Sequence, residues 1–414
     1  MASTKLKVPR GTFDVLPEDG LKRRELQRRT WAVLGRGGYR PFQSPAFEDT
    51  ELFERGVGES TDIVRKEMFT FHDQGGRSLT LRPEGTAPVC RAYVEHGMHK
   101  LPQPVKLWYW GPFFRHERAQ AGRYRQFSQI GVEALGSDDP SLDAEAVLLL
   151  AELLEAAGVR ATTLKISSLG TRESRAAYLE ELERYLREHE GDLSPDVRER
   201  ISTNPLRAFD ADHEGTQAVM AGAPRLLDRL RPEDAEHFSE VRTLLDDAGL
   251  AYVVDPTLVR GLDYYTRTVF EFDSPKLGAQ SGVGGGGRYD GLVEELGGPP
   301  TPGVGWAAGI ERILLASETR WPTAPRPVFV AIEDGRDRRE AFRVVTALRE
   351  AGVRAEMEQA GRSFKGQMKH AARAEARAVA IVGQELQWRD MDTGEQTPVT
   401  GIQEAVRIAV GLAT

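Results

Sequence analysis

The chain has 414 residues, 40% hydrophobic and 29% charged, a length for two or three domains with sizeable cores. A formal net charge of −8 argues against indiscriminate nucleic-acid binding, which rests on a basic footprint, but leaves room for an RNA partner held by local arginines. One cysteine, Cys90, excludes an internal disulfide and a cysteine metal cluster; with no apolar stretch in residues 1–7 and no apolar run near the roughly 20 residues a membrane span needs, a cytoplasmic protein without membrane contact is expected.

Residues 8–14 form an opening segment. A helix follows Asp19, with Leu26, Val33 and Leu34 at helical spacing, and stops at Gly37-Gly38. Extended chain then carries Pro41 and Pro45, and this helix-to-strand passage suits a dimer element as well as plain core packing. Residues 68–71 and 78–81 read as a hairpin around Asp73-Gln74-Gly75-Gly76. The second strand runs into Arg82-Pro83-Glu84-Gly85-Thr86, where Pro83 ends the ladder and Gly85 permits a sharp turn. Glu84 and Thr86 thus fall just past a strand end, where ligand groups often sit. A carboxylate and a hydroxyl there suit an ammonium, and Thr86 also suits a helix N-cap.

Residues 106–114 are an aromatic strand, and 126–135 return as its neighbour. Alternation puts Phe127, Gln129, Gly131 and Glu133 on one face and Ser128, Ile130, Val132 and Ala134 on the other. An amide and a carboxylate flanking a glycine gap are costly to bury without a ligand or partner. The loop between the strands carries Arg115, Arg118, Arg123 and Arg125, residues suited to phosphate or an RNA backbone. A leucine- and alanine-rich helix over 141–157 ends at Gly158, and 164–167 is a short strand. Residues 171–250 are mostly helical, with Tyr178, Leu179, Leu182, Tyr185 and Leu186 in one apolar stripe, and read as an insertion between strands of one sheet domain.

The segment Arg260-Gly261-Leu262-Asp263-Tyr264-Tyr265 leads into a strand over 266–272 rich in β-branched and aromatic residues. A core strand has no need of that prelude, whereas a polar pocket does: an arginine fork grips an anion and tyrosines give flat walls with hydroxyls. Residues 280–291 are glycine-rich but lack both a Walker lysine and a dinucleotide fingerprint, so their glycines serve backbone approach to a ligand. Residues 303–315 read as a glycine-padded strand entering a helix that bears Arg312. After the proline-rich linker 321–327 come alternating strands and helices, a small α/β domain whose segment 361–370 is basic enough to touch RNA.

Together these segments closely resemble histidyl-tRNA synthetase of the class II aminoacyl-tRNA synthetases, over essentially the whole chain. Residues 260–265 look like the family's histidine-specific motif, 114–133 like class II motif 2, 303–312 like motif 3, and the first long helix with Pro45 like motif 1. The resemblance implies an α+β protein: an antiparallel-sheet catalytic domain over 1–168 and 251–320, a helical insertion over 169–250, and a C-terminal α/β anticodon-binding domain over 327–414. It implies ATP-dependent attachment of L-histidine to tRNA(His) through a histidyl adenylate, by a homodimer with Mg²⁺ carried on ATP and no metal site of its own.

Residue by residue, the resemblance implies that Glu84, Thr86 and Gln129, with Gly85 between the first two, bind the histidine amino group. Glu133 and Tyr265 read the imidazole, with Tyr264 and Tyr289 lining the pocket. Arg115 and Arg312 bind ATP, and Arg260 spans the histidine carboxylate and the α-phosphate, so Arg115 and Arg260 are the catalytic pair. Gln120, Arg123 and Arg125 meet the tRNA acceptor end. The family's usual Arg-Pro-Gln reads Arg118-Ala119-Gln120 here, loosening the loop, and its Gln-Phe-His-Gln reads Gln126-Phe127-Ser128-Gln129, altering the surroundings of the histidine site. A regulatory paralogue from histidine biosynthesis has a similar fold, but typically lacks the intact 260–265 motif and the C-terminal domain.

Overall fold

The computed structural model describes residues 5–58, 61–117, 122–278, 281–333, 336 and 338–413, which divide into two compact units, Met1–Trp321 and Pro322–Thr414. The first unit is built on an eight-stranded sheet. Its order is Arg40–Pro41, Val105–Phe114, Gln126–Leu135, Gly303–Gly309, Gly282–Arg288, Thr266–Asp273, Thr163–Ser168 and Val253–Val254. The six inner strands pair antiparallel, and the two short edge strands pair parallel with their neighbours. A separate three-stranded sheet joins Phe47–Asp49, Ser78–Leu81 and Phe69–His72, so the expected hairpin is present and recruits a third strand.

Period-two alternation assigns the faces of the large sheet. Trp108, Ile130, Val132 and Ala134 point into one core, where they meet Leu26 and Val33 of helix Pro17–Arg36 and the apolar side of helix Pro140–Ala156. Helix Pro232–Asp247, at the end of the expected insertion, packs into this same core through Phe238, Val241 and Leu245. The opposite face carries Tyr109, with helix Thr86–Glu95 and the stripe Tyr178, Leu182 and Leu186 of helix Arg172–Glu188 in a second core. Each buried aliphatic or aromatic side chain in these layers contributes roughly 1.5–3 kcal/mol of transfer free energy.

One buried ion pair ties the sheet to a helix. Arg288 donates through Nε to Asp143 Oδ2 at 3.1 Å, both residues being fully buried. The Pro322–Thr414 unit has a five-stranded mixed sheet ordered Ala355–Met357, Val328–Ile332, Ala378–Val382, Leu386–Asp390 and Gln396–Pro398. Helices Arg338–Glu350 and Ile402–Ala413 share a core on one face through Val344, Leu348, Ala405 and Ala409; helix Phe364–Arg373 covers the other through Ala371.

Candidate active site

A cavity of about 820 Å³ opens on the sheet face that carries Tyr109 and Gln129. Glu84, Thr86, Tyr109, Arg115, Gln129, Arg260, Tyr264, Tyr265, Tyr289 and Arg312 all line it. Residues more than 200 positions apart therefore converge on one cavity, carried by antiparallel strands and by the turns and helix starts that follow them.

The turn after strand Ser78–Leu81 works differently from the cap expected of Thr86. Helix Thr86–Glu95 is capped by Glu84, whose carboxylate accepts from the Thr86 N–H at 2.7 Å and the Ala87 N–H at 2.9 Å. That frees the Thr86 hydroxyl to donate to Glu133 Oε1 at 2.8 Å. A carboxylate at a helix N-terminus satisfies otherwise orphaned N–H groups. Burial nonetheless raises the Glu84 pKa, outweighing those hydrogen bonds.

Glu133 lies just beneath the cavity wall, 1% exposed. Besides Thr86, it accepts from the Tyr289 hydroxyl at 2.6 Å and the Tyr109 hydroxyl at 3.3 Å. Desolvation pushes its pKa up to about 8, against the lowering effect of these three hydroxyls. Glycines make the room. A Cβ on Gly305 would stand 2.0 Å from Glu133 Oε2, and one on Gly131 or Gly85 would fall 2.2 or 2.3 Å from Tyr109 Cζ. The Tyr109 ring is thus slotted between two glycines. Its role is absent from the sequence reading, although the register pairing of Tyr109 with Gly131 is what the alternation of the two strands implies. Gln129 lines the cavity with its Oε1 buried and without a hydrogen-bond partner among the described residues, an acceptor suited to an incoming N–H.

The tyrosines cluster around this floor. The rings of Tyr264 and Tyr265 are 4.8 Å apart, those of Tyr264 and Tyr289 5.8 Å. The Tyr264 hydroxyl is 3.5 Å from Glu84 Oε2, and Thr86, bonded to Glu84 through its N–H and to Glu133 through its hydroxyl, joins the two carboxylates into one polar floor. Burial raises the pKa of all three phenols, so they act as neutral donors and acceptors.

Arginines form the opposite side. Arg115 donates through Nε to the Pro83 carbonyl at 2.8 Å and lies over the Phe127 ring at 5.4 Å. That anchors its stem and aims its fork into the cavity. Arg260 pairs through Nη1 with Glu271 Oε2 at 2.8 Å, a partner not singled out from sequence. Arg312 packs its Cδ within 3.4 Å of the position of a Cβ on Gly309, and burial lowers its pKa. Arg123 also lines the cavity, 3.4 Å from Glu117. Arg125 does not: its backbone N–H donates to the Gly11 carbonyl at 2.7 Å and its side chain packs on Gly11. Gln120, with Arg118 and Ala119, lies outside the described residues. Ser128 points away from the cavity. Its N–H donates to Glu311, a residue of the cavity lining, at 3.0 Å and its hydroxyl accepts from Arg23 at 3.1 Å.

Residues 11–313 match the family described as Histidyl-tRNA synthetase, and residues 328–409 match the anticodon binding domain. The chain belongs to the histidyl-tRNA synthetase family. The histidine–tRNA ligase of Desulforamulus reducens is 48% identical over 402 residues, 95% of this chain and 96% of its own. That of Rubrobacter xylanophilus is 48% identical over 408 residues, with the same coverage. The crystal structure of the apo histidyl-tRNA synthetase of S. aureus superposes with a TM-score of 0.81 at 36% identity, covering 98% of this chain and 100% of that one. A Bacillus halodurans structure described as an ATP phosphoribosyltransferase regulatory subunit/histidyl-tRNA synthetase shares the fold, at TM-score 0.63 and 22% identity over 91% of this chain and 98% of that one. The fold is accordingly the class II synthetase fold with a separate anticodon-binding unit, as the family resemblance implied.

Proposed function

We propose that this chain attaches L-histidine to tRNA(His) at the expense of ATP, through a histidyl-adenylate intermediate. The observation that carries the reading is a single cavity with a buried carboxyl ringed by three hydroxyls on one side and Arg115, Arg260 and Arg312 on the other. The first half suits an amino acid whose side chain donates N–H. The second suits a triphosphate.

The imidazole N–H reaches Glu133 between Thr86 and Tyr289, with Tyr265 and Tyr264 as walls. The ammonium group sits among Glu84, Thr86 and the buried Gln129 oxygen. Arg260 spans the histidine carboxylate and the α-phosphate, exchanging its Glu271 partner for them. A carboxylate oxygen of histidine attacks the α-phosphorus, the bond to the β-phosphate bridge breaks, and pyrophosphate leaves with that electron pair. Arg115, Arg260 and Arg312 neutralise the charge that develops, so catalysis is positioning plus electrostatics. The described residues bring together no group of three or more His, Cys, Asp or Glu able to hold a metal. Mg²⁺ is placed on the nucleotide, where it would supply further charge neutralisation on the phosphates. In the second step the 3′-terminal ribose hydroxyl of tRNA attacks the adenylate carbonyl and AMP departs. Arg123, on the rim, meets the acceptor end, and Gln120 and Arg125 complete that contact. The Pro322–Thr414 unit binds the anticodon region. The working assembly is a homodimer, a reading supported by the exposed Phe47 and Phe71 rings on the small sheet, 6.0 Å apart.

Amino-acid-dependent ATP–pyrophosphate exchange tests this. Exchange with histidine alone, from a panel of amino acids, is the expected result. Folded protein that gives no exchange with any amino acid would overturn the reading in favour of a regulatory, non-catalytic role.

A further inference from the structure

The 260–265 motif is held from behind by the helical segment. Arg175, in the first turn of helix Arg172–Glu188, is buried and donates through Nη1 to the Tyr265 carbonyl at 3.1 Å. Asn204 donates through Nδ2 to Asp263 Oδ1 at 2.8 Å. Arg267, two residues past Tyr265, has φ +45°, a region that residues with side chains seldom occupy. The ladder slips at the same place: Gly287 pairs with Val269, but Arg288 pairs with Thr266. Such a bulge turns the strand and re-aims the side chains before it, here the two tyrosines.

Three contacts hold Arg267 in this conformation. Its N–H donates to the Gly170 carbonyl at 2.8 Å, its carbonyl accepts from the Leu169 N–H at 2.7 Å, and its Nε donates to Asp234 Oδ1 at 3.0 Å. Asp234 is fully buried and accepts at Oδ2 from the Thr171 N–H at 3.0 Å and the Ser174 hydroxyl at 2.5 Å. Thr171 is the N-cap of the helix that carries Arg175. One helix start is therefore tied both to the Tyr265 backbone and, through Asp234, to the bulge. Arg175, Asp234 and Arg267 all stand outside the cavity lining, whereas Arg115 and Arg312 come from other elements.

We propose that Arg175 and the Asp234–Arg267 pair are positioning residues for histidine recognition, setting the tyrosine wall while leaving the nucleotide side alone. This rests on the histidine-activating reading above. The test is the Michaelis constants for histidine and ATP in pyrophosphate exchange by the full chain. Arg175→Met is expected to raise the histidine KM at least fivefold with the ATP KM within twofold, and Arg175→Lys, which retains a donor, to recover most of the loss. Arg187→Ala, an exposed pair on the same helix, is the control. A histidine KM within twofold of wild type in Arg175→Met, or an equal rise in both constants, overturns the proposal. Should Arg175→Met not fold, Arg267 decides: glycine accepts φ +45° and alanine does not, so Arg267→Gly is expected to keep a lower histidine KM than Arg267→Ala. Equal values would overturn it. Absence of histidine-dependent exchange in the wild type would instead overturn the function itself.

Discussion

Replacing Glu133 by glutamine removes a buried carboxyl whose pKa desolvation raises, and keeps its shape. In the native chain its pKa stands at about 8 rather than 4.5. At roughly 1.4 kcal/mol per pKa unit, the charged form is disfavoured by on the order of 5 kcal/mol relative to the unfolded chain. The sign follows directly. Between pH 4.5 and about 8 the native state keeps a proton that the unfolded state releases, so this group's stabilising contribution is full below the lower value and is lost as pH rises through the upper one. Glutamine does not titrate. The unfolding free energy of Glu133→Gln minus that of the wild type should therefore climb from pH 6 to 8 and then flatten, as measured by urea unfolding without ligands. Histidine binding should move the other way. Losing an ionisable acceptor for the imidazole N–H removes a hydrogen bond of about 1.5–3 kcal/mol, so calorimetry should find histidine bound roughly 10- to 150-fold more weakly. Parallel stability profiles, with histidine affinity changed less than twofold, would refute the reasoning.

Arg260→Ala removes the fork proposed to bridge carboxylate and α-phosphate; pre-steady-state adenylate formation should slow about 10²- to 10³-fold with unfolding unchanged, and an unaltered rate would remove Arg260 from the chemistry. Gly131→Ala puts a methyl 2.2 Å from Tyr109 Cζ, and Gly85 blocks the ring's other side. The substitution should cost about 1–3 kcal/mol in denaturant unfolding and depress histidine-dependent exchange; a silent variant would show that the ring is not confined. Asp143→Ala leaves the fully buried Arg288 without its carboxylate, and should destabilise the Met1–Trp321 unit by about 3–5 kcal/mol. A loss under 1 kcal/mol would mean that Asp290, 3.3 Å from Arg288, suffices as its partner.

Local chemistry determined much of this protein. Leu26, Val33 and Leu34 fell at helical spacing and are buried in the first helix. Period-two alternation over 126–135 put Gln129, Gly131 and Glu133 on one face, and that face carries the cavity floor. The 260–265 motif drew attention because its polar and aromatic residues precede a strand that has no use for them. Each of these signals is short-ranged: side-chain periodicity and turn chemistry are written within a dozen residues.

Only the tertiary structure decided the rest, because it depended on partners far away in the chain. Nothing near Glu84 says that its carboxylate, not Thr86, caps the helix, or that the Thr86 hydroxyl is thereby free to donate to Glu133, 47 residues away. Tyr109 became part of the site when the strand pairing set its ring between Gly85 and Gly131. Arg125 stays out of the cavity lining, its side chain packed on Gly11. Arg175 holds Tyr265 across 90 residues, a separation that no local period encodes. Residue types and spacing select which groups can do the chemistry, whereas burial, register and long-range hydrogen bonds determine which of them face the ligand and with what charge.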